Sequence, residues 1–65
     1  MIAKPKTRGL LLVNGGKEGS ILLHPNQKWE VTLFQDDKNE VGIEHGILAL
    51  IISKELFKEK FAISF

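Results

Sequence analysis

Residues 46–52 read Gly-Ile-Leu-Ala-Leu-Ile-Ile, six apolar side chains in a row behind one glycine. No other segment constrains the fold as strongly. A strand that is apolar at every position cannot face water on either side, so both faces of this segment need cover. Parity extends the constraint upstream. Val41, Ile43, His45, Ile47, Ala49 and Ile51 share one face of an extended chain, while the other changes from Gly42, Glu44 and Gly46 to Leu48, Leu50 and Ile52. Glycine at that changeover predicts a bulge or bend carrying the strand round a barrel corner. The face of Leu48, Leu50 and Ile52 then requires a new cover, either a downstream helix bearing Leu56 and Phe57 or a second copy of the chain.

The remaining segments read as short strands joined by tight turns. Leu10, Leu11, Leu12 and Val13 form an apolar run ended by Asn14-Gly15-Gly16. Gly15, Gly16 and Gly19 bracket Lys17-Glu18 in a reversal that returns through residues 20–24. His24-Pro25-Asn26-Gln27 is a turn, because proline fixes φ and asparagine favours turn conformations. Over residues 28–35, Trp29, Val31 and Leu33 point inward against Lys28, Glu30 and Thr32 until Phe34 interrupts the alternation, and the polar connection Asp36-Asp37-Lys38-Asn39 makes a hairpin with residues 40–45.

Ser53 fits a helix N-cap with Glu55 in the first turn, and Leu56, Phe57, Lys60 and Phe61 recur at helical intervals, predicting one short helix over residues 54–60. Phe61, Ile63 and Phe65 then alternate as a last strand, which must be paired. The expected fold is mainly β: a small antiparallel barrel or strongly curved sheet of five to six short strands, with one short helix before the last strand. In architecture alone the pattern resembles the SH3-like and OB-like small barrels, without a motif of either. Residues 1–6, with Lys-Pro-Lys and no apolar periodicity, read as a flexible basic tail and residues 7–65 as one small β-rich domain.

A chain of 65 residues buries only roughly 60% of its surface on folding. Such cores are marginal and are commonly supplemented. The sequence has no cysteine, which removes disulfides and the commonest zinc sites and leaves oligomerisation as the supplement. With 43% hydrophobic residues, the composition is that of a folding chain. The net charge of +1 creates no global pull towards nucleic acid or an anionic membrane. Its distribution is uneven. Through Thr32, Lys4, Lys6, Arg8, Lys17 and Lys28 face Glu18 and Glu30, a balance of +3, whereas the remainder carries four bases and six acids, a balance of −2. Lack of an apolar leader or of a membrane-length run predicts a cytoplasmic protein with no membrane partner.

Chemistry-bearing constellations are sparse. The glycine-rich loop matches no nucleotide-binding spacing. His24 and His45 lack a third ligand, and Glu44 points to the opposite strand face from His45. Asp36, Asp37 and Glu40 do not follow the spacing of a calcium loop. The few hydroxyls sit in no nucleophile context. Neither an enzyme nor a cofactor or metal is expected. A small-ligand pocket near His24 and His45 would rest on architecture alone. Trp29, the sole tryptophan, is either core or an aromatic recognition surface.

The expected function is a small, homo-oligomeric protein-interaction module that binds and modulates another macromolecule, of the compact kind encoded by phages and mobile elements. Trp29, Leu48, Leu50, Ile52 and Phe57 are its interface candidates, with a second copy and an unidentified protein as partners. The alternative is a nucleic-acid-binding small barrel using Lys4, Lys6, Arg8, Lys17 and Lys28 around Trp29 as a stacking platform.

Overall fold

The computed structural model describes residues 1–64. In chain order these form β1 (Ile2–Pro5), β2 (Gly9–Leu12), a 3-10 turn (Val13–Gly16), β3 (Ser20–Leu23), β4 (Trp29–Gln35), β5 (Glu40–His45), β6 (Leu48–Ser53), α1 (Lys54–Lys60) and β7 (Phe61–Ser64). Five strands make one antiparallel sheet in the order β6-β5-β4-β1-β7, and β2 and β3 make a separate hairpin. A mainly β chain with one short helix before its last strand is therefore as expected. No closed barrel is found, since no ladder joins the edge strands β6 and β7 among the described residues. The expectation for Phe65 lies outside those residues.

The basic tail expected at the N-terminus is instead a strand inside the sheet. Ile2 and Ala3 pair with Glu30 and Trp29 of β4 on one side, while residues 2–5 pair with β7 on the other. Ala3 is fully buried. One small residue between Ile2 and Lys4 makes a weak apolar period, yet alanine fits in a central strand where it pairs with Trp29 on one side and Ile63 on the other. Pro5 is tolerated at the strand's last position, where a missing N–H costs least.

The barrel corner expected at Gly46 is a hairpin turn. Gly46 and Ile47 form a two-residue loop between β5 and β6, with positive φ at the first position (+62°) and not at the second, the φ pattern of a type II′ turn. Ile47 is fully exposed. Because the chain reverses here, His45 lies opposite Leu48, Ile43 opposite Leu50 and Val41 opposite Ile52. Leu48, Leu50 and Ile52 therefore continue the core face of β5 and need no second sheet, whereas Ala49 and Ile51 turn outward.

A bulge shifts parity on β4. Val31 opposes Ile43 but Leu33 opposes Gly42, leaving Thr32 as the extra residue. Phe34 consequently returns to the core side opposite Val41, and Leu33 moves to the outer face. That explains why Phe34 broke the alternation. Gly42 allows the close approach at this point, since a Cβ there would lie 3.0 Å from both Leu33 Cβ and Thr32 Oγ1.

The core consists of Ala3, Leu11, Leu23, Trp29, Val41, Ile43, Phe57 and Phe61, with Leu50, Ile52 and Leu56 packed against it. An aromatic chain runs through it. Trp29 stacks on His45 at 5.0 Å and meets Phe61 edge-on at 5.8 Å, Phe61 stacks on Phe57 at 5.5 Å, and Phe57 meets Phe34 edge-on at 6.2 Å. Helix α1 begins as its sequence dictates: the Ser53 hydroxyl accepts the Leu56 N–H at 3.1 Å, and Glu55 lies in the first turn. Phe57 is its buried residue.

Candidate functional site

Trp29 is core and not surface. It is completely buried at the start of β4, between His45 and Phe61, and its indole N–H donates to Gln27 Oε1 at 3.1 Å. The His24–Gln27 turn builds that acceptor. Gln27 N–H donates to His24 O at 2.9 Å, Asn26 N–H donates to His24 Nδ1 at 3.1 Å, and Gln27 Oε1 also accepts the His24 N–H at 3.2 Å. Gln27 Nε2 then donates to Leu22 O at 3.1 Å, tying β3 to the turn that leads into β4. Among the described residues no buried side-chain nitrogen or oxygen lacks a partner. Gln27 was not singled out from sequence, although a glutamine two residues before a lone tryptophan is the signal that could have done so.

The basic residues of the N-terminal half occupy separate elements. Lys4 lies on β1, paired with Ala62 of β7, and Lys28 immediately precedes β4. The Lys6 ammonium donates to Lys58 O at 2.7 Å. Arg8 is exposed in the link to β2, and Lys17 follows the 3-10 turn at the far end of the β2–β3 hairpin. With Trp29 buried, no aromatic face from that residue joins them. In the acidic connection, Lys54 forms an ion pair with Asp36. Both histidines are engaged: His24 in its own turn, and His45 through Nδ1 to Lys28 O at 3.0 Å as well as the tryptophan stack.

The interface candidates divide. Phe57 is core, Leu50 and Ile52 pack onto it, and Leu48 lies on the same face but is 39% exposed at the end of the sheet. Their cover comes from their own chain, because α1 lies against β5 and β6. Exposed apolar surface is found elsewhere. On the hairpin, Leu11 and Leu23 point into the core while Leu10, Leu12 and Leu22 stand outside, each more than half exposed, with Leu10 directly opposite Leu22. On the outer face of the large sheet Ile51 is 63% exposed, next to Leu33, Gly42 and Ala49. Three consecutive leucines on a two-stranded hairpin carry this signal in sequence, since alternate side chains must face opposite ways and the core takes only one side.

A cleft of about 410 Å³ separates the two surfaces, with Leu12, Val13 and Glu18 on one wall and residues 49–52 of β6 on the other. Compared with known protein families, curated proteins and solved structures, the chain matches none. The cleft is therefore read on its chemistry alone.

Both of its long walls are strand edges. A two-residue loop makes His45–Leu48 a hydrogen-bonded pair, and alternate pairs Ile43–Leu50 and Val41–Ile52 follow. The main-chain groups of Ala49 and Ile51 consequently point away from β5, towards open space. On the hairpin, Val13 N–H donates to Gly19 O at 3.0 Å, which puts Leu11–Ile21 in the bonded set and turns the main-chain groups of Leu10 and Leu12 away from β3. The opposite edge of that hairpin is already covered where Gln27 binds Leu22 O. No group of three or more metal-ligating side chains occurs among the described residues. No helix there is long and apolar enough to cross a membrane.

Proposed function

We propose that this chain is a non-enzymatic protein-interaction module that self-associates and engages another protein through the apolar surface around the β2–β6 cleft. One observation carries the reading: Leu10, Leu12 and Leu22 on the hairpin and Ile51 on β6 are each more than half exposed, and Leu12 and Ile51 line one cleft. Isolated exposed apolar residues are ordinary, but a large contiguous patch marks an interaction site. Burying a fully exposed leucine contributes about 1.5–3 kcal/mol, and each of these three leucines has a little more than half of its surface still open to a partner. The buried Trp29 and the dispersed lysines favour this reading over a nucleic-acid-binding one.

The same proposal includes an open, barrel-like sheet in the manner of the SH3-like folds. Support comes from α1, which links the two edge strands directly. Seven helical residues advance about 11 Å, whereas the edges of a flat five-stranded sheet stand about 19 Å apart. A strongly curled sheet satisfies both lengths. The proposed setting is the cytoplasm, which suits a chain without cysteine.

Light scattering on the purified protein tests the reading. A dimer or larger species is expected, and Leu22→Glu, which charges an exposed position without touching the core, is expected to reduce it to a folded monomer with stability changed by no more than about 0.5 kcal/mol. A wild-type monomer across the accessible concentration range contradicts self-association.

A further inference from the structure

We infer that the β2–β6 cleft captures an extended segment of a partner protein, which adds to the open edge of β6 as an antiparallel or parallel strand. The inference rests on the interaction-module reading and names its ligand class. Main-chain chemistry selects the ligand. Ala49 and Ile51 present N–H and C=O groups to the cleft at the spacing of alternate residues, and across it Leu12 presents its own. Only another extended backbone offers donors and acceptors at the same repeat, which is the basis of peptide recognition by strand addition. A small polar ligand would meet two of these groups at most.

Shape selects between an extended segment and a second copy. The β6 edge does not stand free on the molecular surface; it forms one wall of a recess whose other wall is the hairpin, where Leu12, Val13 and Glu18 line it. One strand of chain can enter such a recess. A second folded copy would have to bring its own hairpin into the same space, so self-association is assigned to the outer leucines and the cleft to a peptide. Recessing an edge also protects it from indiscriminate pairing. The side chains set the sequence preference. Leu12 and Ile51 flank the cleft with apolar surface, and Glu18 is the acidic group on its wall, so the captured segment alternates apolar and polar residues and carries a lysine or arginine at the end that meets Glu18.

The test uses the full chain carrying Leu22→Glu, so that self-association is separated from capture, and short N-acetylated peptides of alternating valine and threonine ending in either lysine or glutamate. On binding, hydrogen exchange at the amides of Ala49 and Ile51 is expected to slow by about tenfold or more, while Leu50 and Ile52, already bonded to β5, change little. Methylating alternate peptide nitrogens is expected to abolish binding in one register and leave it intact in the other. The lysine-ended peptide is expected to bind more tightly than the glutamate-ended one, with the difference lost in Glu18→Gln. Absence of binding by every peptide overturns the inference, and so does binding that leaves the Ala49 and Ile51 amides exchanging as before. If the wild type proves monomeric while these amides are protected, self-association falls and strand capture stands; a dimer whose monomeric variant captures no peptide gives the reverse.

Discussion

Gln27 shows how much of a small fold can depend on one polar side chain. Its amide satisfies the buried indole of Trp29, caps the His24 turn and holds the carbonyl of Leu22, so three elements converge on it. Gln27→Leu keeps a comparable volume but strands the indole N–H in the core, a loss of about 1–3 kcal/mol. A chain of this length has about 3–10 kcal/mol in total, so the change removes a large part of its stability. In a domain of this size each kcal/mol lowers the Tm by about 4–8 °C, and thermal unfolding followed by tryptophan fluorescence checks it. A Tm indistinguishable from wild type would show that water replaces the glutamine without cost. From sequence the tryptophan could be placed on the inward parity of its strand, but not its satisfying partner, because a hydrogen bond between turn and strand depends on how tightly the turn is folded.

At the scale of elements, legibility followed locality. Helix α1 was readable to its boundaries because its cap, its charged first turn and its apolar spacing all lie within a few residues. The hairpin of β4 and β5 was readable for the same reason, through its polar connection. Strand β1 was not, since Ile2 is the one strong β-former in residues 2–5 and the segment is held as a strand by β4 and β7 on either side. The β5–β6 turn was hidden by Ile47, an apolar residue in a turn position, which made one strand out of two.

The bulge on β4 gives a sharp check of the corrected parity. In Gly42→Ala the new methyl meets Leu33 Cβ and Thr32 Oγ1 at 3.0 Å, and Leu33 Cβ cannot move without its backbone, so a destabilisation of about 1–3 kcal/mol is expected in chemical denaturation. An unchanged midpoint would mean that the bulge is absent.

The connection between β4 and β5 also links to α1, and this linkage titrates. Asp36 is held below the usual carboxylate range by the hydrogen bond and charge of Lys54, and Glu55 by a hydrogen bond from the Asn39 side chain and then from its own backbone. Asn39 adopts φ +55°, which asparagine tolerates, and its carbonyl accepts the Lys54 N–H at 3.3 Å. Because both pKa values are lower in the folded chain, their stabilisation is fully present above the ordinary carboxylate pKa of about 4 and is lost as pH falls through the lower folded values. Both groups are exposed, so the effect is small and weakens with salt. Asp36→Asn is expected to flatten the acid limb of the stability–pH profile; an unaltered limb would show that the Lys54 pair contributes nothing.

For the whole molecule, the decisive correction concerns which side of β6 faces in. Sequence parity assigned Leu48, Leu50 and Ile52 to an uncovered face; the hairpin assigns them to the core and leaves Ile51, with the hairpin leucines, outside. Composition could not settle this, because apolar residues inside is a rule that runs one way and exposed leucines carry no label. The proposed interaction surface, the open strand edge and the core all depend on that one-residue difference. The most direct measurement compares Leu50→Glu with Ile51→Glu by thermal unfolding in the Leu22→Glu background, chosen to remove the proposed self-association. Leu50→Glu, which puts a carboxylate against the core, is expected to cost more than about 3 kcal/mol and to unfold the chain at ordinary temperature, whereas Ile51→Glu is expected to cost about 1 kcal/mol or less. A stable Leu50→Glu beside an unfolded Ile51→Glu would contradict the assignment.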